Sequence, residues 1–175
     1  KLNVGTNTIN VKCKSASGST RTYKLTVVRK EAAKPTGTLS STKYTVGDKY
    51  ITGITPGTKA SNFLAGLSVD GGTAKLVGAN GKQNRGLAAT GNKVEVYVDN
   101  KKKTSYEVVI YGDVNGDGEI NVLDMIKVNR HILGLDKLSG VYLAAADANR
   151  KGDGLNVLDM IYINRHALGL STIKQ

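Results

Sequence analysis

Residues 113–124 read Asp-Val-Asn-Gly-Asp-Gly-Glu-Ile-Asn-Val-Leu-Asp, and an altered copy of this stretch occupies residues 147–159. Oxygen-bearing side chains stand at positions 1, 3, 5, 9 and 12 of the first copy, and a glycine stands at position 6, where the chain must turn sharply. This is the ligand order of a calcium loop, in which about six to eight oxygens surround the cation. The alternative is a surface turn rich in Asp, Asn and Gly that binds no metal.

The first loop is interpreted as a calcium site because its whole ligand register is present and an apolar helical pattern follows at once. Backbone and side-chain oxygens both contribute, the backbone carbonyl being that of Glu119. The predicted ligands are Asp113, Asn115, Asp117, Glu119, Asn121 and Asp124.

The second loop is one residue longer than the first and departs from its pattern. Lys151 stands where an acidic ligand is expected, but Asp153 can supply the lost oxygen if the chain at Lys151-Gly152 bulges outward. We therefore predict a second calcium site of altered geometry or affinity. The alternative is a loop held only by hydrogen bonds between Asp side chains and backbone. The predicted ligands are Asp147, Asn149, Asp153, Leu155, Asn156 and Asp159.

Each loop leads into a predicted helix, at residues 122–133 and 157–168, and a glycine follows each helix as a plausible C-terminal cap. Two loop–helix units with little core of their own should pack against each other with approximate two-fold symmetry. The predicted core positions are Leu123, Ile126, Leu133, Leu158, Ile161 and Leu168. For the pairs Val122-Leu123 and Val157-Leu158, core and surface roles both stay open.

The triplet Asn-Arg-His recurs at residues 129–131 and 164–166 of these helices. One His per helix is too few for a zinc site, and a His beside an Arg is usually a solvated residue. Because the triplet is repeated on otherwise apolar helices, we interpret it as a recognition patch, to which Arg brings a fixed fork of donors. The patch comprises Asn129, Arg130, His131, Asn164, Arg165 and His166.

The sequence before residue 112 has the alternation of β-strands. Residues 1–30 contain two alternating runs joined by a Gly/Ser turn, and residues 31–37, with Pro35 and Gly37, predict a linker. Residues 38–111 predict a small β-rich module with one short helix. Its last strand, residues 105–111, alternates with period two and runs almost directly into the first loop, so that loop has no entering helix.

Charge and composition exclude several functions. The net charge is +11, but the basic residues are scattered through strand-like sequence, and the lysines at 101–103 are interpreted as a solvated loop, so nucleic-acid binding is not favoured. No apolar run is long enough to cross a bilayer, and no catalytic constellation is visible. The single cysteine, Cys13, allows no intrachain disulfide. No signal peptide opens the chain, which predicts a fragment or a mature piece.

The duplicated loop–helix unit resembles a dockerin, the module by which bacterial extracellular enzymes and scaffold proteins dock onto cohesin domains. The resemblance covers residues 111 to about 175 and implies three helices and two Ca²⁺ ions. It also implies a cohesin-binding face on the first and third helices. On this sequence the face is Val122, Leu123, Asn129, Arg130, His131, Val157, Leu158, Asn164, Arg165 and His166.

Two further resemblances concern the upstream sequence. The hairpin at residues 1–30 resembles the closing strands of cadherin-like or immunoglobulin-like modules, and residues 38–111 resemble a small β-rich X-type module. The expected fold class is therefore multi-domain, with a β-rich, immunoglobulin-like N-terminal part and an all-α dockerin at 112–175 containing two EF-hand-like calcium loop–helix repeats.

The expected function is non-enzymatic and extracellular: calcium-dependent binding of a cohesin, which anchors a larger, polysaccharide-degrading protein to a scaffold or cell surface. In this interpretation residues 38–111 act as a spacer, a stabiliser or an extension of the interface. The alternative is a calcium-stabilised adhesion or cell-surface module that recognises no cohesin. Duplication of the Asn-Arg-His triplet favours the first interpretation.

Overall fold

The computed structural model describes all of residues 1–175 and divides the chain into two compact units, Lys1–Lys34 and Pro35–Gln175. The division lies within the predicted linker at residues 31–37. The predicted boundary between residues 38–111 and residues 112–175 lies inside the second unit, and this division of the chain stays a prediction.

The first unit is an antiparallel hairpin of β1 (Gly5–Lys14) and β2 (Thr20–Arg29). Ile9 lies opposite Leu25 and Val11 opposite Tyr23, so these four apolar side chains share one face of the hairpin. All four are exposed, and so is Cys13. A two-stranded hairpin is too small to bury a core of its own, and no side chain of this unit is buried.

The second unit contains seven strands and four helices. Its strands are β3 (Leu39–Ser40), β4 (Thr45–Val46), β5 (Tyr50–Thr52), β6 (Ser68–Val69), β7 (Thr73–Val77), β8 (Lys93–Val98) and β9 (Lys101–Val108). Its helices are α1 (Ala60–Ala65), α2 (Val122–Ile132), α3 (Gly140–Ala146) and α4 (Val157–Ala167). Five strands form one sheet in the order β4-β5-β9-β8-β7, in which only the β5–β9 pair is parallel, and β3 pairs with β6.

The core of the sheet lies between its strands and α1. Buried and more exposed residues alternate along β8: Val94 and Val96 are fully buried, while Glu95 and Tyr97 face outward. Phe63 of α1 is fully buried in the same cluster. Its ring lies 5.1 Å from that of Tyr44, a spacing at which aromatic pairs attract each other.

The three lysines at residues 101–103 belong to a strand, so their interpretation as a solvated loop was wrong. The turn before them is made by Asp99 and Asn100, whose φ values of 49° and 59° lie in the left-handed region that Asp and Asn tolerate. Lys102 forms an ion pair with Glu95 of β8. This contact, aided by a hydrogen bond from Tyr97, holds the pKa of Glu95 below its ordinary value.

The predicted fold class, which set an immunoglobulin-like β-rich part beside an all-α module with two EF-hand-like repeats, is wrong. The chain is β-rich and of mixed α/β type, with four short helices. In the second unit, Val109 at the exit of the sheet is buried with Val141 and Ala145 of α3. The N–H of Gly112 also donates to the carbonyl oxygen of Ala145 at 2.8 Å. Sheet and helices therefore share buried apolar surface and backbone hydrogen bonds.

Helices α2 and α4 pack on each other through residues other than the predicted core positions. Val128 and Ile163 are fully buried, with Met125 and Met160 packed beside them. The six predicted core positions are exposed instead: Leu123, Ile126, Leu133, Leu158, Ile161 and Leu168. Both faces of each helix carry apolar residues at helical spacing, so periodicity alone could not show which face is buried.

Replacing Phe63 by Ala should lower the free energy of unfolding of the second unit by about 3–5 kcal/mol, because the fully buried ring leaves a cavity. Urea unfolding followed by circular dichroism measures this loss. The control is Leu133→Ala at an exposed position, which should change the free energy by less than about 0.5 kcal/mol. Equal effects of the two substitutions would show that α1 does not complete the core.

Candidate calcium loops and partner-binding face

The first loop is organised around the fully buried carboxylate of Asp113. Its Oδ1 accepts the N–H groups of Gly116 at 2.8 Å and of Asp117 at 3.2 Å. Its Oδ2 accepts the N–H of Gly118 at 3.1 Å and the N–H of Thr90, in the sheet part of the unit, at 2.8 Å. The backbone of the loop therefore surrounds the Asp113 carboxylate, which stands at position 1 of the predicted ligand order.

Asp124 closes the first loop and also begins α2. Its Oδ1 accepts the N–H groups of Val114 and Asn115 at 2.8 and 2.9 Å, and its Oδ2 accepts the N–H of Asn121 at 2.9 Å. Asn121 caps the helix through a 2.8 Å hydrogen bond from the N–H of Leu123 to its Oδ1. Together these bonds form a capping box, which links the geometry of the loop to the start of the helix.

The remaining predicted ligands of the first loop lie at its exposed side. Asn115 Nδ2 donates to Asp117 Oδ2 at 2.7 Å, and the N–H of Glu119 donates to Asp117 Oδ1 at 2.9 Å. Burial raises the pKa of Asp113 to about 6; the Thr90 N–H opposes the shift, and repulsion from Asp124 adds to it. Burial and mutual repulsion therefore disfavour the charged form of this carboxylate, and a bound cation would offset that cost, which suits a calcium site.

The second loop brings three carboxylates together. Oxygen atoms of Asp147, Asp153 and Asp159 lie within 4.8 Å of one another. Asp147 Oδ1 is buried and has no hydrogen-bond partner, although Oδ2 accepts the N–H of Gly152 at 3.2 Å. A carboxylate oxygen left unpaired in a protein interior is costly, and a bound cation would remove that cost. These residues therefore fit a calcium ion, for which carboxylate oxygens are the preferred ligands.

Lys151 does not enter the carboxylate cluster of the second loop. It is exposed, and its N–H donates to Asn149 Oδ1 at 2.8 Å. Arg150 and Gly152 have φ values of 59° and 66°, which is how the longer loop turns the chain so that Asp153 reaches the cluster.

Two predicted ligands of the second loop have other contacts in the structure. Asn156 Oδ1 accepts the N–H of Leu158 at 2.8 Å and so caps α4, as Asn121 caps α2. Leu155 packs its side chain against the buried cluster that contains Ile163. The role of both residues as ligands stays a prediction.

The residues that end each loop expose matching apolar patches. Val122 and Leu123 keep 53% and 54% of their surface exposed, and Val157 and Leu158 keep 51% and 48%. The core alternative for these pairs is therefore wrong. The patches are larger than predicted, because Ile126 and Ile161, Tyr162 in α4, and the C-cap residues Leu133 and Leu168 are also exposed. The helical spacing of Ile126, Leu133, Ile161 and Leu168 is visible in the sequence and predicts core positions there, whereas Tyr162 is not among the predicted positions.

The Asn-Arg-His triplets divide into exposed and structural members. Asn129, Arg130, Asn164 and Arg165 are exposed, whereas both histidines are half-buried. His131 Nδ1 accepts the N–H of Leu138 at 2.8 Å, and His166 Nδ1 accepts the N–H of Ile173 at 3.1 Å. Each histidine therefore holds the segment after its helix, a role that sequence reasoning missed although the seven-residue spacing is the same in both copies.

The C-terminal residues close the helical segment against the end of the sheet. Gln175 Oε1 accepts the N–H of Tyr111 at 2.8 Å, and Gln175 Nε2 donates to the Tyr111 carbonyl at 2.9 Å. Ile173 is buried in the same cluster as Val114 and Val128. These contacts join the two ends of a segment that spans both loops.

Residues 111–168, about a third of the chain, match the family model of the dockerin type I domain. No curated protein and no solved structure matches the chain. Dockerins are non-catalytic modules that bind calcium and dock onto cohesins in cellulosome-type assemblies, and proteins containing them are typically extracellular or on the cell surface. The X-type and cadherin-like resemblances upstream stay predictions. No helix of the structure combines the length and apolar character needed to cross a membrane.

Replacing Asp153 by Asn should weaken calcium binding at the second loop by about tenfold or more, because the charge of the ligand set governs affinity. Calorimetric calcium titration measures this change, and the first loop should be unaffected. Asp48→Asn, in an exposed turn, removes the same charge elsewhere and should change neither site. If Asp153→Asn bound calcium as the unmodified protein does, Asp153 would not be a ligand.

Proposed function

We propose that residues 111–175 bind two calcium ions and dock onto a cohesin domain through α2 and α4. The chain would thereby anchor a larger extracellular, polysaccharide-degrading protein to a scaffold or cell surface, with residues 38–111 as spacer and stabiliser. The observation that carries this proposal is the pair of matching apolar patches that the two loop–helix repeats leave exposed.

The apolar patches support a protein partner because several exposed apolar residues recur at helical spacing on each helix. Single exposed apolar residues are normal on soluble proteins, but patches that continue over several turns of a helix mark interaction sites. On α2 the patch includes Val122, Leu123 and Ile126, and it ends at the C-cap residue Leu133; all four are at least 45% exposed. On α4 the corresponding run ends at Leu168, which is 64% exposed.

Polar groups beside the patches supply the specificity that an apolar surface lacks. Asn129 and Arg130 on α2, and Asn164 and Arg165 on α4, are exposed. Arg presents several N–H donors in a rigid plane and is enriched at protein interfaces. Exposed apolar residues combined with arginine are therefore a composition that suits such an interface.

Calcium would control docking through the N-termini of the two helices. Asp124 and Asp159 are predicted ligands and also the third residues of α2 and α4, where each completes a capping box. An ion held by these carboxylates fixes the start of the helix that presents the patch. Without the ion, the crowded carboxylates repel one another and favour opening of the loop.

The duplication supports binding in two orientations related by about 180°, because either helix can present the same residues. The two faces are not identical, however. Lys127 on α2 corresponds to Tyr162 on α4, and Asp136, which lies 3.9 Å from the Arg130 guanidinium, corresponds to Ser171. The two orientations are therefore expected to differ in affinity for cohesins of different charge.

The patches can be tested separately with Leu123→Asp and Leu158→Asp, both at exposed positions where a charge should not prevent folding. Each single variant should retain cohesin binding within about tenfold, because one orientation remains, and the double variant should lose at least about a hundredfold. Calorimetry against a panel of cohesins measures these affinities. Leu143→Asp on α3, at a similarly exposed position away from the patches, is the matched control and should bind normally.

The outcomes separate the parts of the proposal. Complete loss of binding with one single variant would contradict the two orientations while leaving a cohesin-binding face. Normal binding by the double variant would place the cohesin site elsewhere. If no cohesin bound while calcium did, the chain would be a calcium-stabilised structural module instead.

A further inference from the structure

The first calcium loop lies directly against residues 87–92, the segment that leads into β8 of the sheet. The N–H of Thr90 donates to Asp113 Oδ2 at 2.8 Å, and both residues are buried, with 1% and 0% of their surface exposed. A second contact joins the N–H of Gly57 to the carbonyl oxygen of Gly118 at 2.8 Å. The loop thus receives part of its hydrogen bonding from outside the loop–helix repeats.

Hydrogen bonds to the chain just beyond β9 hold Thr90 in place. The Oγ1 atom of Thr90 accepts the N–H of Ile110 at 3.1 Å and donates to the Ile110 carbonyl oxygen at 3.2 Å. Asn92 Oδ1 accepts the N–H of Ala89 at 3.2 Å and Asn84 Nδ2 at 2.6 Å. The Thr90 N–H is therefore a fixed donor, positioned before any ion binds.

The first loop lies so close to residues 87–92 that no side chain fits at its two glycines, Gly116 and Gly118. A Cβ added to Gly116 would lie 2.9 Å from the Thr90 carbonyl oxygen, and one added to Gly118 would lie 2.6 Å from the Ala88 carbonyl oxygen. Both glycines also have positive φ values, of 78° and 89°. The turn of the first loop is therefore shaped to fit against the sheet segment.

The second loop makes no equivalent contact. A Cβ added to Gly152 or Gly154 would meet nothing within 4 Å. The head carboxylate, Asp147, accepts one N–H from within its own loop and leaves Oδ1 unpaired. The same sequence repeat has thus produced one loop whose head carboxylate and glycines contact residues 88–90 and one whose corresponding groups make no such contact.

We propose that the segment of residues 87–92 is a structural part of the first calcium site, with Thr90 as a positioning residue whose N–H orients the Asp113 carboxylate. Groups that hydrogen-bond to a metal ligand commonly raise metal affinity by about tenfold to a hundredfold. The first loop should consequently fill at lower calcium concentration than the second, and calcium at the first loop should stabilise the sheet. This inference rests on the proposed calcium binding and adds a role for the sheet.

The direct test compares Thr90→Pro, which deletes the N–H donor, with Thr90→Val, which keeps it and removes only the hydroxyl. Calcium titration of the full chain is followed by the amide NMR signals of Gly118 in the unmodified first loop and Gly152 in the second. Thr90→Pro should weaken the first site at least about tenfold relative to Thr90→Val and leave the second site unchanged. First-site affinities in both variants equal to that of the unmodified chain would overturn the inference.

A second measurement needs no variant and so does not depend on whether Thr90→Pro folds. Hydrogen exchange of the Val94 and Val96 amides in β8 is recorded in excess calcium and in chelator. At calcium a hundred times the dissociation constant of the first site, exchange through unfolding should slow by about a hundredfold. Unchanged exchange, with calcium bound at the first loop, would overturn the inference. Absence of calcium binding at that loop would instead refute the proposed function.

Discussion

The structure of the second unit depends on buried carboxylates that the backbone encloses. Asp113, Asp124 and Asp159 are fully buried, and each accepts at least two backbone N–H groups from its own loop. Buried charge is tolerated only where it is hydrogen-bonded or paired with an ion. Each loop is therefore folded around its acids, and the helix that follows begins at the last of them.

This constraint explains why the helices can expose their apolar residues. Once capping boxes fix the N-termini of α2 and α4, only one stripe of each helix is needed to form the contact between them, and Val128 and Ile163 provide it. The opposite stripe remains available for a partner. An ordinary surface helix turns its charged residues to solvent and its apolar residues to the core. Here the acids are buried in the loops and apolar residues of the helices are exposed, which is consistent with a docking module.

The sequence predicted the loops better than their surroundings. The acids of the loops could be placed because a calcium register and a repeat fix their positions along the chain, whereas Leu123, predicted as a core position with a surface role left open, is exposed. The buried side of α2 could not be predicted, because both of its faces are apolar. The hydrogen bond from Thr90 to Asp113 could not be predicted either, because the two residues are 23 positions apart in sequence. The sequence places the histidines in a surface patch, because it does not reveal that His131 accepts a backbone N–H.

The most direct test of the account is a calorimetric titration of the intact chain with a panel of cohesins, performed in calcium and repeated in chelator. We expect one-to-one binding to at least one cohesin in calcium and no binding in chelator, because the ions fix the helices that present the patches. Binding that persisted in chelator would contradict the link between the loops and the face. Absence of any binding, with both loops occupied by calcium, would contradict the docking function itself.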